Sequence, residues 1–144
     1  MLRRLLLTVL FGLVALSPLQ AQDWVVKSAS GDIPLPVDQA FRMSLFTGLD
    51  GKVLLRVEMP PGYYLYRDKL QLSSAGFRIK NVAFPLAKAK HDEFLGDVRI
   101  YTGVITLVVT PDALTPSGDL RVRFQGCAEQ LVCYPPTTRV FRLG

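Results

Sequence analysis

The sequence is poor in the side chains that build metal centres: its 144 residues include one His and two Cys. A zinc site of three or four ligands would have to recruit carboxylates, and neither C-x2-C nor H-E-x-x-H occurs. Helical periodicity is also missing. No segment repeats apolar residues at helical spacing over three turns, and ten prolines scattered along the chain argue further against long helices. Basic residues form no run and are not interleaved with aromatics, so nucleic-acid binding has no support. There is no internal repeat, linker or low-complexity tract. With 49% hydrophobic and 20% charged residues, the chain has the makings of one packed domain and is too short for two.

The one long apolar run lies at the start. Arg3 and Arg4 precede Leu5 to Leu16, and Pro18 and the small Ala21 follow. This is the layout of a secretory signal peptide, and the run falls short of the about 20 residues that span a bilayer. Residues 1–21 are therefore expected to be cleaved after Ala21, with no following Cys to carry a lipid, leaving a soluble exported domain at 22–144. Loss of Arg3 and Arg4 leaves 15 basic and 12 acidic residues, and the net charge drops from +5 to +3.

What remains reads as strands. Val53, Leu55 and Val57 alternate with polar neighbours in Lys52 to Glu58; Leu120, Val122 and Phe124 alternate with Arg121, Arg123 and Gln125; Arg139 to Leu143 repeats the pattern. Further strands are expected at Tyr63 to Tyr66, Leu70 to Ser73, Phe77 to Phe84 and Val98 to Val109, separated by turn clusters such as Pro60-Pro61-Gly62. Asp38 to Phe41 is compatible with a helical turn or with the start of a strand. Seven to nine strands with these spacings predict an all-β chain, an antiparallel sandwich of the immunoglobulin type.

Cys127 and Cys133 form a C-x5-C pattern in a chain read as exported, so a disulfide is the expected state. Along a straight strand their Cα atoms would be about 20 Å apart, while a disulfide needs about 4.4–6.8 Å, so the chain must reverse between them. A permanent structural staple is one reading. It would be a weak one: closing seven residues contributes about 2.4 kcal/mol, against about 4.7 kcal/mol for a 100-residue loop. Exchange with a partner thiolate is the other, since a turn-borne disulfide is easy to reach.

Three separated motifs favour the second. Gly126-Cys127-Ala128 with Cys133-Tyr134-Pro135-Pro136, Gly62-Tyr63-Tyr64-Leu65-Tyr66-Arg67, and Asp92-Glu93-Phe94-Leu95-Gly96 together resemble the N-terminal periplasmic domain of the DsbD thiol:disulfide interchange family, and the likeness extends from Leu35 to the last strand. The resemblance implies an immunoglobulin-like fold whose inserted hairpin carries the redox pair Cys127 and Cys133. It further implies that Cys133 forms the mixed disulfide and Cys127 resolves it. Electrons would arrive from a thioredoxin-like or membrane donor and leave to periplasmic thioredoxin-fold proteins that isomerise disulfides or serve cytochrome c maturation, without metal or organic cofactor. By the same resemblance Asp92, Glu93, Phe94, Leu95 and Gly96 form a cap loop, with Phe94 covering the pair, and Tyr64 and Tyr66 stand beside it. Leu95 departs from relatives that often carry a second aromatic there. Asp92, Glu93 and Glu129 would raise the thiol pKa and leave activation to the partner thiolate; His91 reads as a solvated neighbour. The 144 residues leave no room for a membrane domain or a thioredoxin-like domain, so the donor, including a membrane thiol transporter, is expected on another polypeptide. The alternative from a different class is a non-catalytic immunoglobulin-like binding module whose Cys127–Cys133 bond is never reduced.

Overall fold

The computed structural model describes residues 33–144; the expected signal peptide, 1–21, lies outside them. Pro36, with its fixed φ, leads into a single helical turn, α1 (Val37–Ala40). The turn is held from afar. The Arg139 guanidinium donates to the carbonyls of Phe41 at 2.6 Å and Val37 at 3.3 Å, the latter also accepting the Phe41 N–H of the turn at 3.0 Å. Strand alternation resumes at once in β1 (Arg42–Thr47), so the ambiguous segment resolves into a turn followed by a strand.

Strands β2 (Val53–Glu58), β3 (Tyr63–Tyr66), β4 (Gln71–Ala75), β5 (Ile79–Ala83), β6 (Lys88–Asp92), β7 (Gly96–Tyr101), β8 (Val104–Pro111), β9 (Gly118–Phe124), β10 (Gly126–Ala128), β11 (Val132–Cys133) and β12 (Thr137–Leu143) follow, with a 3-10 turn at Arg67–Lys69. Every pairing is antiparallel, and they make three sheets, β1-β2-β8-β5, β12-β9-β4 and β11-β10-β3-β7-β6. The first two supply the sandwich. Val53, Leu55 and Val57 of β2 and Ile105, Leu107 and Val109 of β8 share one core with Leu120, Val122 and Phe124 of β9. This is what period-two alternation dictates when one face of each sheet is apolar.

The twelve strands among the described residues exceed the seven to nine expected, for identifiable reasons. The Val98 to Val109 stretch is broken at Thr102-Gly103, where Gly103 takes φ 71° and the chain passes from one sheet to another. Strand β6 is hydrophilic, exposed except at Lys90 and Asp92, and its lack of apolar alternation hides it in the sequence. Strands β10 and β11 are only three and two residues long.

The third sheet positions the site. In β3, Tyr63 and Leu65 turn toward the sandwich core while Tyr64 and Tyr66 turn the other way, where they form a second small cluster with Ile100 and Cys127. Strand β10 lies against one side of β3 and β7 against the other.

Candidate functional site

The cysteine hairpin is an excursion between two strands that pair with each other. Phe124, the last residue of β9, faces Thr137, the first of β12, and residues 125–136 leave that ladder to add β10 and β11 to the neighbouring sheet. Gly126 makes the departure possible. A Cβ there would lie 2.4 Å from the Tyr64 carbonyl oxygen and 2.5 Å from Cζ of Phe41, so no side chain fits. The reversal comes next, closed by the Leu131 N–H donating to the Ala128 carbonyl at 3.0 Å with Gln130 at φ 61°.

Within the hairpin Cys127 and Cys133 are directly opposite and disulfide-bonded, with Cα atoms 4.0 Å apart. The Tyr134 N–H donates to the Gly126 carbonyl one step along, which places the cysteines at a position without ladder hydrogen bonds, where facing side chains approach most closely. The two sulfurs are not equivalent. Cys127, on the inner strand β10, is 1% exposed, whereas Cys133, on the edge strand β11, is partly open to solvent. The Tyr66 hydroxyl sits 3.1 Å from Sγ of Cys127 and 3.8 Å from Sγ of Cys133.

Next to Tyr66, edge-to-face at 5.5 Å, stands Tyr64, whose hydroxyl donates to the Asp92 carboxylate at 2.5 Å. Asp92 is 1% exposed, and its other oxygen accepts from the N–H groups of Phe94 and Leu95, each at 2.9 Å. Burial by itself raises the Asp92 pKa. The Tyr64 hydroxyl and these two N–H donors outweigh it and hold the carboxyl below its ordinary range. Burial, reinforced by Asp92, pushes the Tyr64 hydroxyl strongly up, and burial likewise raises Tyr66.

The D-E-F-L-G string is thus a turn with a physical rationale. Asp92 closes it by binding the two N–H groups that follow, and Gly96 supplies φ 74°, ending a three-residue β6–β7 connection. Asp92 is the anchor of the loop, and Glu93 is exposed. Phe94 is 64% exposed and Leu95 49% exposed, so in this structure the Phe94 ring is largely in solvent rather than enclosed with the sulfurs. Leu95 lines a cleft with Tyr66, Asp68, Lys69, Val98 and Arg99.

Sequence reasoning did not anticipate Lys90. Its ammonium pairs with Glu129 of the hairpin turn at 2.6 Å and lies 5.2 Å from the Tyr64 ring centre, so one side chain joins β6, the tyrosine pair and the hairpin tip. The contact spans 39 residues of sequence, and no local pattern signals it. His91 is exposed on the outer strand, 2.7 Å from the Asp97 carboxylate. Among the described residues, no group of three His, Cys, Asp or Glu side chains is placed to hold a metal ion.

Residues 32–144 match the family described as the N-terminal part of thiol:disulfide interchange protein DsbD. The chain belongs to that family. DsbD of Cronobacter sakazakii is 37% identical over 110 residues, covering 76% of this chain and 19% of the relative; DsbD 2 of Pseudomonas aeruginosa is 33% identical over 144 residues, covering 99% and 24%. The chain therefore spans about a fifth to a quarter of the curated DsbD relatives it matches. Among solved structures, the reduced DsbD N-terminal domain of Neisseria meningitidis is similar at a TM-score of 0.66 and 30% identity, covering 76% of this chain and 88% of that one. The immunoglobulin-like antiparallel class is that of the DsbD N-terminal domain. A Neisseria complex between the DsbD N-terminal and PilB N-terminal domains matches at 26% identity with a TM-score of 0.67.

Proposed function

We propose that this DsbD-family chain is a periplasmic electron-relay protein, a thiol-disulfide oxidoreductase of the protein-disulfide reductase type. The observation that carries the reading is the asymmetry of the pair, a buried Cys127 joined to a more accessible Cys133 on an edge strand. A donor thiolate attacks Sγ of Cys133; the Cys127–Cys133 bond breaks, and Cys127 leaves as a thiolate beside the Tyr66 hydroxyl. The donor's second thiolate then displaces Cys133, so that the donor ends as a disulfide and this chain as a dithiol. In the second half, the Cys133 thiolate attacks an acceptor disulfide and Cys127 resolves the adduct, returning this chain to the oxidised state and passing two electrons on. No cofactor enters either half.

Support also comes from relatives. One is known in reduced form and one in complex with a partner domain. Donor and acceptors of the proposed relay have the thioredoxin fold, the acceptors serving disulfide isomerisation or cytochrome c maturation, with a membrane thiol transporter upstream. Among the described residues no helix is long and apolar enough to cross a membrane. Export rests on residues 1–21. The cap loop, with Phe94 at its crest, is assigned the task of restricting access until a partner displaces it.

The test is to replace Cys127 with Ser, so that any mixed disulfide formed by Cys133 with a thioredoxin-fold partner cannot be resolved. Accumulation of such an adduct in periplasmic extract is expected. Its absence, together with failure of every reduced thioredoxin-fold donor to open the wild-type disulfide, would leave the permanent-staple reading.

A further inference from the structure

Two clefts of opposite charge lie near the redox pair. On the cap side, a cleft lined by Tyr64, Lys90, Asp92, Glu93 and Glu129 carries three carboxylates against one ammonium, with His91 at its rim. A second cleft is formed by Lys69, Gln71, Arg123, Gln125 and Pro136, at the feet of the hairpin where it leaves β9 and rejoins β12. Lys69 also lines the cleft of Leu95 and Tyr66, and Tyr66 touches both sulfurs, so the basic side is continuous with the redox pair.

The basic character follows from the strand period. Leu120, Val122 and Phe124 of β9 point into the core, which turns Arg121 and Arg123 outward in one row with Gln71, Ser73, Thr138 and Val140. None of these directly facing neighbours is acidic; Asp119, two residues before Arg121 on the same face, is taken by Arg142 at 3.0 Å. Most other cations near the site are already paired, Arg99 with Asp68, Lys90 with Glu129 and Arg142 with Asp119. Lys69, Arg121 and Arg123 make no ion pair among the described residues. Three exposed cations thus extend from the edge of the redox site over the outer face of the β12-β9-β4 sheet.

We propose that Lys69, Arg123 and Arg121 form a docking margin for a thioredoxin-fold partner that carries acidic residues beside its reactive cysteine. The proposal rests on the relay reading above and adds the charge and the orientation of the partner. Matching acidic residues to this margin turns the partner's remaining surface toward the cap, where a like-charged approach meets Glu93. Such complementarity governs encounter rate and register more than final affinity. It also discriminates among thiols, because a basic protein presenting an otherwise competent cysteine is repelled.

Two short cysteine peptides test the margin, one flanked by Glu and one by Lys, each presented as the thiol to the oxidised protein, with mixed-disulfide formation at Cys133 followed by mass. The Glu peptide is expected to react about tenfold faster at low salt, and the difference to collapse in about 0.5 M salt, where screening acts within about 4 Å. Lys69→Glu combined with Arg123→Glu should abolish or reverse the preference. Neutral dithiothreitol should reduce wild type and variant at equal rates, showing that fold and disulfide are intact. Equal rates for the two peptides, or a preference unchanged in the variant, overturns the proposal. So does sedimentation of wild type, but not of the variant, with anionic phospholipid vesicles, which would assign the cations to a membrane. The relay reading fails separately, if no reduced thioredoxin-fold protein exchanges with the wild-type disulfide; the peptide preference is read independently of that result.

Discussion

Replacing Asp92 with Asn probes the anchor of the proposed cap loop. One carboxylate oxygen takes the N–H groups of Phe94 and Leu95, and the other takes the Tyr64 hydroxyl. Hydrogen bonds to a charged group contribute about 1.5–3 kcal/mol each when buried. Phe94 and Leu95 are half or more exposed, so water recovers part of the loss at their amides, and Tyr64 is buried, so its loss is felt in full. Asn retains a weaker acceptor for the two amides, which brings the expected cost to about 2–3 kcal/mol, and opening of the β6–β7 turn should become about 30- to 150-fold more frequent. Hydrogen exchange at the Phe94 and Leu95 amides reads this directly, beside urea unfolding of the oxidised protein. The pH dependence gives a second signature. The Asp92 pKa is lowered on folding, so its contribution is fully present above the unfolded carboxyl value of about 3.9 and is lost as pH falls through the lower folded value. Wild type should lose stability below about pH 4 more steeply than the Asn variant. Unchanged exchange at the two amides, or parallel acid profiles for the two proteins, would refute the anchor assignment.

Tyr66→Phe removes the hydroxyl 3.1 Å from Sγ of Cys127 and should slow reduction by dithiothreitol about 2- to 10-fold, with little change in melting temperature, because the departing thiolate loses a donor worth about 0.5–1.5 kcal/mol. A double-mutant cycle on Lys90→Met and Glu129→Gln should return a coupling of about 0.5–1 kcal/mol in urea unfolding, diminishing with salt. Gly126→Ala should cost about 1–3 kcal/mol or more by thermal unfolding, since its methyl would meet the Tyr64 carbonyl and the Phe41 ring; an unchanged melting temperature would show that the hairpin root can shift.

The strands that carry the sandwich core were legible because their two faces differ. Val53, Leu55 and Val57 against Leu54, Arg56 and Glu58 leave no choice of face once one side is buried. Strand β6 was not legible, because Lys88-Ala89-Lys90-His91-Asp92 buries a carboxylate instead of an apolar side chain, and that burial is recovered through three hydrogen bonds that span the sheet and the following turn. Cys127 and Cys133 were legible as a facing pair from spacing, since a disulfide forces reversal, and the paired strands β10 and β11 meet that requirement. Their unequal exposure was not, because it depends on which strand of the hairpin docks on β3, a contact between segments about 60 residues apart in sequence. The sequence motif marked D-E-F-L-G as a cap and put the weight on Phe94; in the structure Asp92 and Gly96 set the shape of this turn, and the Phe94 ring is exposed at it.

The Phe124–Thr137 pairing at the root of the hairpin separates two kinds of durability. The ladder between β9 and β12 runs over seven residue pairs, none of which involves a cysteine, so the sandwich keeps its closure whether the sulfurs are joined or apart. The relay proposed above needs both forms and must alternate between them without passing through the unfolded chain. Mounting the pair on an excursion from a ladder that contains neither cysteine separates the reacting sulfurs from the seven residue pairs that close the sandwich.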